Sequence, residues 1–488
     1  MFKEYMLEKL SAKVENRLLI FDFDGIKERF DYPCLLEGMG FYVLRYSGAA
    51  EFRYLYHSES ENGCKKVALI VSRTQYVPYD IHKGYYSVDL SLEKLFPNLN
   101  KEAILKDKSL DFDLLYGAYG QLFKKLTMKE DSSDYIISQV YSKENIKKYI
   151  RQSKDGLAED VAAEHIEFSA WMSIAAQKGK TEYLAARSGL KTDLSFVDTE
   201  FAKFILRGYS SLSGVTHKGH PAVLVNRVLD AIANVKEKTA LIVMDGMSVF
   251  DFTAFASDFD DIDFEENYVF AMIPTTTAIS RQSLLSGKFP VELSNPFSLS
   301  REENEFLQAF KDRGYADNQA AYARGYSPDY RPGVKFLCVI VNDIDDLVHG
   351  QTQGRAGMYN DVTLLAKTGR LQKLITKLFA DGFTVYLTSD HGNTLCTGLG
   401  APHGMGVEVE TKSKRALVLR DFANGAELIE KYNLTDYPGF YLDKQYKYLI
   451  CESGRSFDVK GSEVMTHGGI SIDEVIVPFI KIKAVQNG

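Results

Sequence analysis

Residues 383–392 read FTVYLTSDHG, a short apolar run that ends in polar residues and a glycine. Two similar runs, Ala240 to Met244 (ALIVM) and Phe336 to Val341 (FLCVIV), stop at Asp245 and Asn342. Continuous apolar runs of this length are typical of parallel strands that helices cover on both faces. Open α/β sheets place their active sites at the carboxyl ends of such strands. The sequence therefore predicts an α/β fold with a mostly parallel sheet flanked by helices, and a functional site where these runs end.

The bulk composition excludes several classes of protein. The 488 residues suggest two to four domains, and a hydrophobic share of 45% is enough for sizeable cores. The net charge of -8 does not favour non-specific nucleic-acid binding. Five scattered cysteines without a CxxC pair argue against a disulfide framework or a cysteine zinc site. There is no signal-peptide-like apolar segment at the start and no run long enough to span a membrane, so we expect a cytoplasmic protein.

The sequence pattern divides the chain into three predicted parts. Residues 1–100 alternate apolar runs with helical stretches and predict a small α/β domain. Residues 101–235 repeat lysine, glutamate, leucine and alanine at helical spacing and predict a mostly helical region that packs against the catalytic domain as a separate layer or lobe. Residues 236–488 carry the strand-end residues and form the predicted catalytic domain. The strand candidates of the first part are Arg17 to Asp24, Phe41 to Tyr46 and Val67 to Ser72.

Carboxylates and imidazoles recur beside the predicted strands of the last part. They are Asp245, Asp345, His349, Asp390, His391 and His467, the last of which precedes a predicted final strand from Glu474 to Ile482. A mixed oxygen and nitrogen set suits zinc or a similar divalent metal, and six ligands are too many for one catalytic zinc. Asp343 and Asp346 compete with Asp345, but only Asp345 stands four residues before His349, which puts both side chains on one helical face.

A candidate nucleophile lies in Pro274 to Thr277 (PTTT), after a predicted strand from Tyr268 to Ile273. A predicted helix follows and Gly287 fits its end. Thr277 then stands at the helix N-terminus, where backbone N–H groups and the helix dipole favour a phosphate. A metal ion could lower the pKa of its hydroxyl. Arg281, one turn later, could bind a phosphoryl oxygen in the transition state.

The order of these segments resembles the alkaline phosphatase superfamily and, within it, a PglZ domain, over about residues 236–488. The end of the chain, Ile470 to Phe479 (ISIDEVIVPF), is also similar to a PglZ ending. The resemblance implies two zinc ions, with another divalent metal as an alternative, and a phospho-threonine intermediate. It implies the ligand sets Asp245, Thr277, Asp390 and His391 for one ion, and Asp345, His349 and His467 for the other.

The resemblance also bears on the threonine register. Nucleotide pyrophosphatases of the superfamily resemble Pro-Thr-x-Thr with the last threonine reactive, which favours Thr277 over Thr276. The spacing from Thr277 to Arg281 is similar to the nucleophile-x-x-x-Arg spacing of sulfatases, but sulfatases use a modified cysteine or serine, so a sulfatase is disfavoured. His403, in Pro402-His403-Gly404, has no certain counterpart and is a candidate substrate-binding residue.

The function implied is a two-metal phosphatase or phosphodiesterase, with a role in bacteriophage-exclusion defence. Alternatives are a nuclease or cyclic-oligonucleotide hydrolase using the same site, and a scaffold that binds a nucleotide or partner without turnover. The expected partners are a phosphate ester, with a nucleotide or nucleic acid as candidates, and defence proteins contacted through the N-terminal regions. No membrane partner is expected.

The first part of the chain contains a second phosphatase-like motif. Asp22-Phe23-Asp24-Gly25 after a strand imitates the first motif of haloacid dehalogenase phosphatases. That chemistry also needs a later lysine and a paired-aspartate motif, which cannot be placed in this region. PglZ proteins often have a similar start, so we expect a structural or partner-binding domain.

Overall fold

The computed structural model describes residues 2–54, 66–72, 75–107, 110–215, 222–234, 236–259, 262–402, 413–420 and 425–483. The chain forms two compact units, residues 1–149 and 150–488. The division falls within one helix, and each unit is described by itself. No helix among these described residues combines the length and apolar character of a membrane span.

The first unit is built on a parallel sheet of four strands in the order β2-β3-β1-β4. Its strands are β1 (Arg17–Asp22), β2 (Tyr42–Arg45), β3 (Val67–Ser72) and β4 (Tyr86–Leu90). Its helices are α1 (Phe2–Lys9), α2 (Tyr32–Gly38), α3 (Tyr79–His82), α4 (Leu92–Leu95), α5 (Lys101–Lys106), α6 (Phe112–Tyr119) and α7 (Lys129–Tyr135), and α8 (Lys143–Val161) contains the division. Leu19, Leu69 and Val71 are buried in the core of this sheet.

The aspartates of the dehalogenase-like motif are bound within the first unit. Asp22 accepts hydrogen bonds from the backbone N–H groups of Ile26 (2.8 Å) and Lys27 (3.0 Å) and from the Tyr32 hydroxyl (3.1 Å). Asp24 accepts one from the backbone of Leu92 (2.7 Å). These contacts tie the strand end to the helices that follow, which favours a structural role for both carboxylates.

The second unit contains a six-stranded sheet in the order β6-β16-β9-β5-β8-β7 and two smaller three-stranded sheets, β11-β13-β12 and β14-β10-β15. The strands of the large sheet are β5 (Thr239–Met244), β6 (Asp263–Phe270), β7 (Ala320–Arg324), β8 (Phe336–Val341), β9 (Thr384–Thr388) and β16 (Ile476–Lys483). Those of the small sheets are β10 (Thr394–Gly398), β11 (Ala416–Leu419), β12 (Leu434–Tyr437), β13 (Lys447–Cys451), β14 (Arg455–Ser456) and β15 (Glu463–Thr466). Only β16 runs antiparallel to its neighbours in the large sheet.

Helices pack around this sheet. They are α9 (Phe168–Arg187), α10 (Ser195–Gly208), α11 (Val228–Ile232), α12 (Val249–Ala256), α13 (Thr277–Ser286), α14 (Glu302–Asp312), α15 (Asp343–Gly350), α16 (Gly354–Lys367), α17 (Arg370–Ala380), α18 (Gly425–Tyr432) and α19 (Ile472–Val475). Every residue of β5 and β8 is buried, as the uninterrupted apolar runs predict for strands covered on both faces. The predicted mixed α/β fold with a mostly parallel sheet is confirmed.

Several predicted strand boundaries are wrong, and the first strand, for example, ends at Asp22 instead of Asp24. The final strand begins at Ile476 instead of Glu474, because Ser471 and Glu474 form a capping box that starts the short helix α19. The strand predicted to reach Ile273 ends at Phe270. In contrast, Gly287 ends α13 with a positive φ of 74°, as its position predicts.

The helices α5 to α11 fall within residues 101–235, where the sequence predicts a helical region. Part of this stretch belongs to each unit, because the division lies at residues 149 and 150. The three-part division at residues 100 and 235 stays a prediction.

Candidate active site

The predicted site residues meet at one edge of the large sheet. Asp245 directly follows β5, Asp345 lies in the first turn of α15 after β8, and Asp390 and His391 follow β9. His467 directly follows β15 in a small sheet. Their candidate ligand atoms form two groups, Asp245 with Asp390 and His391, and Asp345 with His391 and His467, and within each group these atoms lie within 4.8 Å of one another.

The His391 ring joins the two groups. Its Nε2 lies 3.6 Å from Asp245 Oδ1 and 3.9 Å from Asp390 Oδ2. On its other side the ring stacks on His467, with 4.1 Å between centroids. The ligand sets implied by the sequence place His391 beside only one ion, whereas in the structure its ring adjoins both groups.

The second group extends to His349 at the protein surface. His467 Nε2 lies 3.4 Å from Asp345 Oδ1, and His349 Nε2 lies 3.3 Å from Asp345 Oδ2. The His349 side chain is 49% exposed, whereas that of His467 is 6% exposed. The predicted i,i+4 pair on α15 is therefore present, with one member open to solvent.

In each of the carboxylates of Asp245, Asp345 and Asp390, one oxygen contacts a neighbouring group and the other has no hydrogen-bond partner among the described residues. Asp245 Oδ2 accepts from Arg281, Asp390 Oδ1 accepts from the Gly246 (3.3 Å) and His391 (3.1 Å) backbones, and Asp345 Oδ2 faces His349. Among the described residues, Asp245 Oδ1, Asp390 Oδ2 and Asp345 Oδ1 are buried without a hydrogen-bond partner. Buried polar atoms are rarely unpaired, because desolvation without a partner costs about 1–3 kcal/mol or more. Divalent cations, one at each of the two groups, would satisfy all three oxygens.

The two buried histidines are oriented as metal ligands usually are. His391 Nδ1 lies 3.0 Å from the Gly392 carbonyl oxygen, and His467 Nδ1 lies 2.9 Å from the Thr275 carbonyl oxygen. A carbonyl can only accept, so each Nδ1 carries a proton, and in the neutral ring Nε2 then offers its lone pair to a metal ion. Both lone pairs face the carboxylates of the site. The residues present therefore fit a pair of divalent ions.

The pKa values of these groups reflect burial and the charged groups around them. Burial and the nearby Asp245 carboxylate raise the pKa of Asp390 well above its usual range. Burial, with the adjacent His391 ring, lowers the pKa of His467 to about 4. Burial would raise the pKa of Asp345, but its hydrogen bond with His349 and the nearby imidazoles hold it below the usual range. A bound cation would favour the charged carboxylates and the neutral imidazoles together.

The threonines at the start of α13 differ in their surroundings. Thr277 is partly exposed and its Oγ1 lies 3.0 Å from His391 Nε2, at the edge of the first group. Thr276 is buried, 2% exposed, and its hydroxyl has no hydrogen-bond partner among the described residues. Thr275 is bound through its hydroxyl to the Gly469 carbonyl (3.0 Å). Thr277 is thus the threonine of this turn that is both accessible and beside the candidate ligands.

Arg281 lies inside the protein, where it pairs with carboxylates. Its side chain is 2% exposed, its Nη1 contacts Asp245 Oδ2, and its Nε donates to Glu302 Oε2 at 2.7 Å. Glu302 in turn accepts from Tyr322 and from Arg324 (2.9 Å). The predicted contact with a phosphoryl oxygen stays a prediction. The sequence does not indicate that Glu302 pairs with Arg281, because Glu302 is one of several acidic residues in the first turn of α14.

Two further residues complete the picture of the predicted site. The Ser389 hydroxyl donates to the Met244 carbonyl (2.7 Å) and accepts from the Met247 backbone (2.9 Å), so it joins the ends of β9 and β5. His403, the candidate substrate-binding residue, lies outside the described residues.

An α/β sheet with carboxylates and histidines at its carboxyl edge is consistent with an alkaline phosphatase-like hydrolase, and comparison with known families identifies that class. A family model described as the BREX system PglZ alkaline phosphatase-like domain matches residues 224–482, which is more than half of the chain. The chain therefore belongs to the PglZ family, and this domain is of the phosphoric ester hydrolase type. The predicted family is confirmed.

Searches of solved structures find more distant likenesses. Murine ectonucleotide pyrophosphatase/phosphodiesterase 5 is 14% identical, with a TM-score of 0.37, and the match covers 50% of this chain and 88% of that chain. The human counterpart is 12% identical with the same coverage and TM-score. Phosphonoacetate hydrolase from Sinorhizobium meliloti 1021 is 11% identical, with a TM-score of 0.32 and coverage of 50% and 89%. No curated protein matches the chain.

Proposed function

We propose that this chain is a two-metal phosphohydrolase, a phosphatase or phosphodiesterase, that works through a phospho-threonine at Thr277. The observation that carries this proposal is the set of three buried carboxylate oxygens, on Asp245, Asp345 and Asp390, that have no hydrogen-bond partner in the described part of the chain. The Asp245 oxygen lies 3.6 Å from His391 Nε2, and the Asp345 oxygen lies 3.4 Å from His467 Nε2. A purely structural cluster has no reason to leave these atoms unpaired.

Two ions would share this ligand set. Asp245, Thr277, Asp390 and His391 would hold one, and Asp345, His349 and His467 would hold the other. Zinc suits such mixed oxygen and nitrogen ligands, and other divalent metals are the alternative. When bound, the ions supply Lewis-acid chemistry that lowers the pKa of a hydroxyl and offsets charge on a phosphoryl group.

The chain itself supplies the nucleophile and its placement. The Thr277 hydroxyl gives its proton to water, and its oxygen bonds to phosphorus as the bond from phosphorus to the leaving oxygen breaks. The leaving group takes a proton from solvent. A water oxygen then bonds to phosphorus as the bond from phosphorus to the Thr277 oxygen breaks, and a proton from that water restores the Thr277 hydroxyl. Phosphate is released from a monoester, or a phosphate monoester from a diester. The N-terminus of α13 places backbone N–H groups beside the transferred group, where its negative charge is favoured.

The family description supplies the biological setting of the proposal. It names a BREX system, and we propose that this chain acts in such a defence system on a phosphate ester. A nucleotide, a cyclic oligonucleotide or a nucleic acid would each present the required group to the same site. We propose that the N-terminal regions contact protein partners of the system.

Turnover of model esters by threonine variants tests the mechanism. Zinc-loaded protein should hydrolyse p-nitrophenyl phosphate or bis(p-nitrophenyl) phosphate, and a cyclic dinucleotide and a short DNA extend the panel. Thr277→Ala should abolish turnover while zinc binding largely remains, because carboxylates and histidines still hold the ions. Thr276→Ala is the matched control and should be much milder, since that hydroxyl is buried away from solvent.

Three outcomes contradict parts of the proposal. An active Thr277→Ala with an inactive Thr276→Ala would place the nucleophile one residue earlier. Full activity in both would mean that water attacks the ester directly. A wild-type protein that binds zinc and hydrolyses none of the substrates would favour a binding scaffold without turnover.

A further inference from the structure

Two adjacent buried residues of α19, Asp473 and Glu474, contact three of the loops that form the candidate site. Glu474 Oε1 accepts hydrogen bonds from the Gly469 backbone (2.8 Å) and the Thr275 hydroxyl (3.3 Å). Its backbone carbonyl accepts from the Gly392 N–H at 2.9 Å. These three partners belong to the loops that carry the candidate ligand His467, the candidate nucleophile and the candidate ligand His391.

The charge of Glu474 is held by a buried arginine. Arg415 and Glu474 are both 0% exposed and form an ion pair through Glu474 Oε2, which also accepts from the Ser471 backbone at 3.1 Å. The Arg415 guanidinium lies against Gly469, where an added Cβ would come within 2.7 Å of the guanidinium carbon. With Oε2 occupied in this way, Oε1 is directed at the loops of the site.

Asp473 is anchored by two cations from other helices. Lys178 Nζ donates to both of its carboxylate oxygens, at 2.7 and 2.6 Å, and Arg355 Nη2 donates to one at 2.9 Å. The same carboxylate accepts from the Thr394 hydroxyl at 3.3 Å. The backbone oxygen of Asp473 also lies so close to Gly392 that a Cβ there would be 1.9 Å away. A shift of Asp473 would therefore move the loop of His391.

Lys178 lies on α9, before the region that the PglZ family model matches. Its side chain is 2% exposed and also pairs with Glu182 (2.8 Å) and Asp198 (3.7 Å). Asp198, on α10, accepts a hydrogen bond from the Ile472 backbone at 3.1 Å. Both helices are thus bonded directly to the turn that contains Asp473.

We propose that Glu474 and Asp473 are positioning residues of the site, and that Lys178 holds Asp473 from a helix outside the matched family region. This inference rests on the proposed function, because it concerns the placement of its nucleophile and ligands. A buried carboxylate that loses its cation either moves or takes up a proton, and either change releases the loops it holds. Lys178 on α9 and Asp198 on α10 then support the loops of the site through the turn that contains Asp473.

The test compares Glu474→Gln and Lys178→Met with a matched control, Lys203→Met. Lys203 is a lysine on α10 whose side chain is 53% exposed and pairs with Glu200 at the surface. The visible absorption spectrum of cobalt(II)-loaded protein reports the geometry of the ligands. Steady-state hydrolysis of bis(p-nitrophenyl) phosphate separates kcat from KM, and thermal unfolding gives the stability of each variant.

Both positioning variants should show an altered cobalt spectrum and a kcat lowered about tenfold to a hundredfold with little change in KM, because misplaced groups slow the chemical step. Lys203→Met should match the wild type in its cobalt spectrum and in its kcat. If Lys178→Met does not fold, the double variant Lys178→Met/Asp198→Asn takes its place in the test. It removes one positive and one negative charge together, and the expected result is the same.

A residue that only stabilises the fold would lower the unfolding temperature and leave the cobalt spectrum and kcat unchanged. That result in both positioning variants would overturn the inference. A wild-type protein that takes up no cobalt or hydrolyses no ester would instead overturn the proposed function, so the two failures are distinguishable.

Discussion

At the scale of single residues, Arg281 shows how charge is arranged around the candidate ligands. The sequence suggests a guanidinium that faces the substrate, but the structure places it against Asp245 and Glu302. It occupies one oxygen of Asp245 and leaves the other directed at His391. The geometry therefore favours a role in orienting a metal ligand.

Arg281→Gln should separate the two roles. If the guanidinium orients Asp245, the variant should bind zinc more weakly and lose about 3–5 kcal/mol of unfolding free energy, because Asp245 and Glu302 lose a buried partner. If it contacts only the transition state, zinc affinity should stay unchanged while kcat falls about a hundredfold. That fall corresponds to a loss of about 3 kcal/mol of transition-state stabilisation. Competition titration with a zinc chelator and urea unfolding distinguish these outcomes.

Arg324→Gln is the control for this prediction. Arg324 also pairs with Glu302 but its side chain is 49% exposed, so its loss should cost little. Equal losses of stability in both variants would contradict a special role for Arg281.

The candidate ligands at the strand ends could be predicted from the sequence, but the residues that hold their loops in place could not. Asp245, Asp390 and His391 each follow an apolar run whose carboxyl end must lie at one edge of a parallel sheet. Glu474 and Thr275 lie 199 positions apart, and no local pattern indicates that they meet. Such contacts follow only from the complete packing of the loops.

At the scale of elements, the junction of β9 and α19 depends on a glycine. A Cβ at Gly392 would lie 1.9 Å from the Asp473 carbonyl oxygen and 3.2 Å from the Ser248 Cα, both of which are backbone atoms. Neither can move without displacing its own loop. The close approach requires a residue without a side chain.

Gly392→Ala should therefore weaken zinc binding and destabilise the protein by about 1–3 kcal/mol, as overpacking of a tight contact does. Gly156→Ala is the control, because Gly156 lies inside α8 with no atom within 4 Å of an added Cβ. That change should be neutral or stabilising by up to about 1 kcal/mol. Zinc binding by Gly392→Ala at wild-type strength would show that the contact does not position His391.

Element types were easier to predict than element ends. The buried strands β5 and β8 have an unbroken apolar pattern, and the structure confirms them within one residue. The start of β16 was predicted two residues early, because the apolar pattern continues through α19 while the Ser471–Glu474 capping box changes the backbone. Hydrogen bonds of side chains to the backbone decide such boundaries.

At the scale of the whole molecule, the sequence predicts the helices of residues 101–235. It does not show which hydrophobic core those helices pack into. Helical periodicity identifies the face that is buried, and it carries no information about the partner of that face. The contacts within the second unit assign α9 and α10 to the sheet that bears the candidate site. The stretch before the family-matched region thus contributes to the core of that unit.

The central claim is that the clustered carboxylates and histidines hold two metal ions. Metal analysis of zinc-loaded, desalted protein by mass spectrometry tests it most directly, with His391→Ala, His467→Ala and their double variant alongside the wild type. The account predicts about two zinc ions per wild-type chain and fewer in each variant, because His391 adjoins both groups and His467 belongs to the second. A full complement of zinc in the double variant, or none in the wild type, would contradict it.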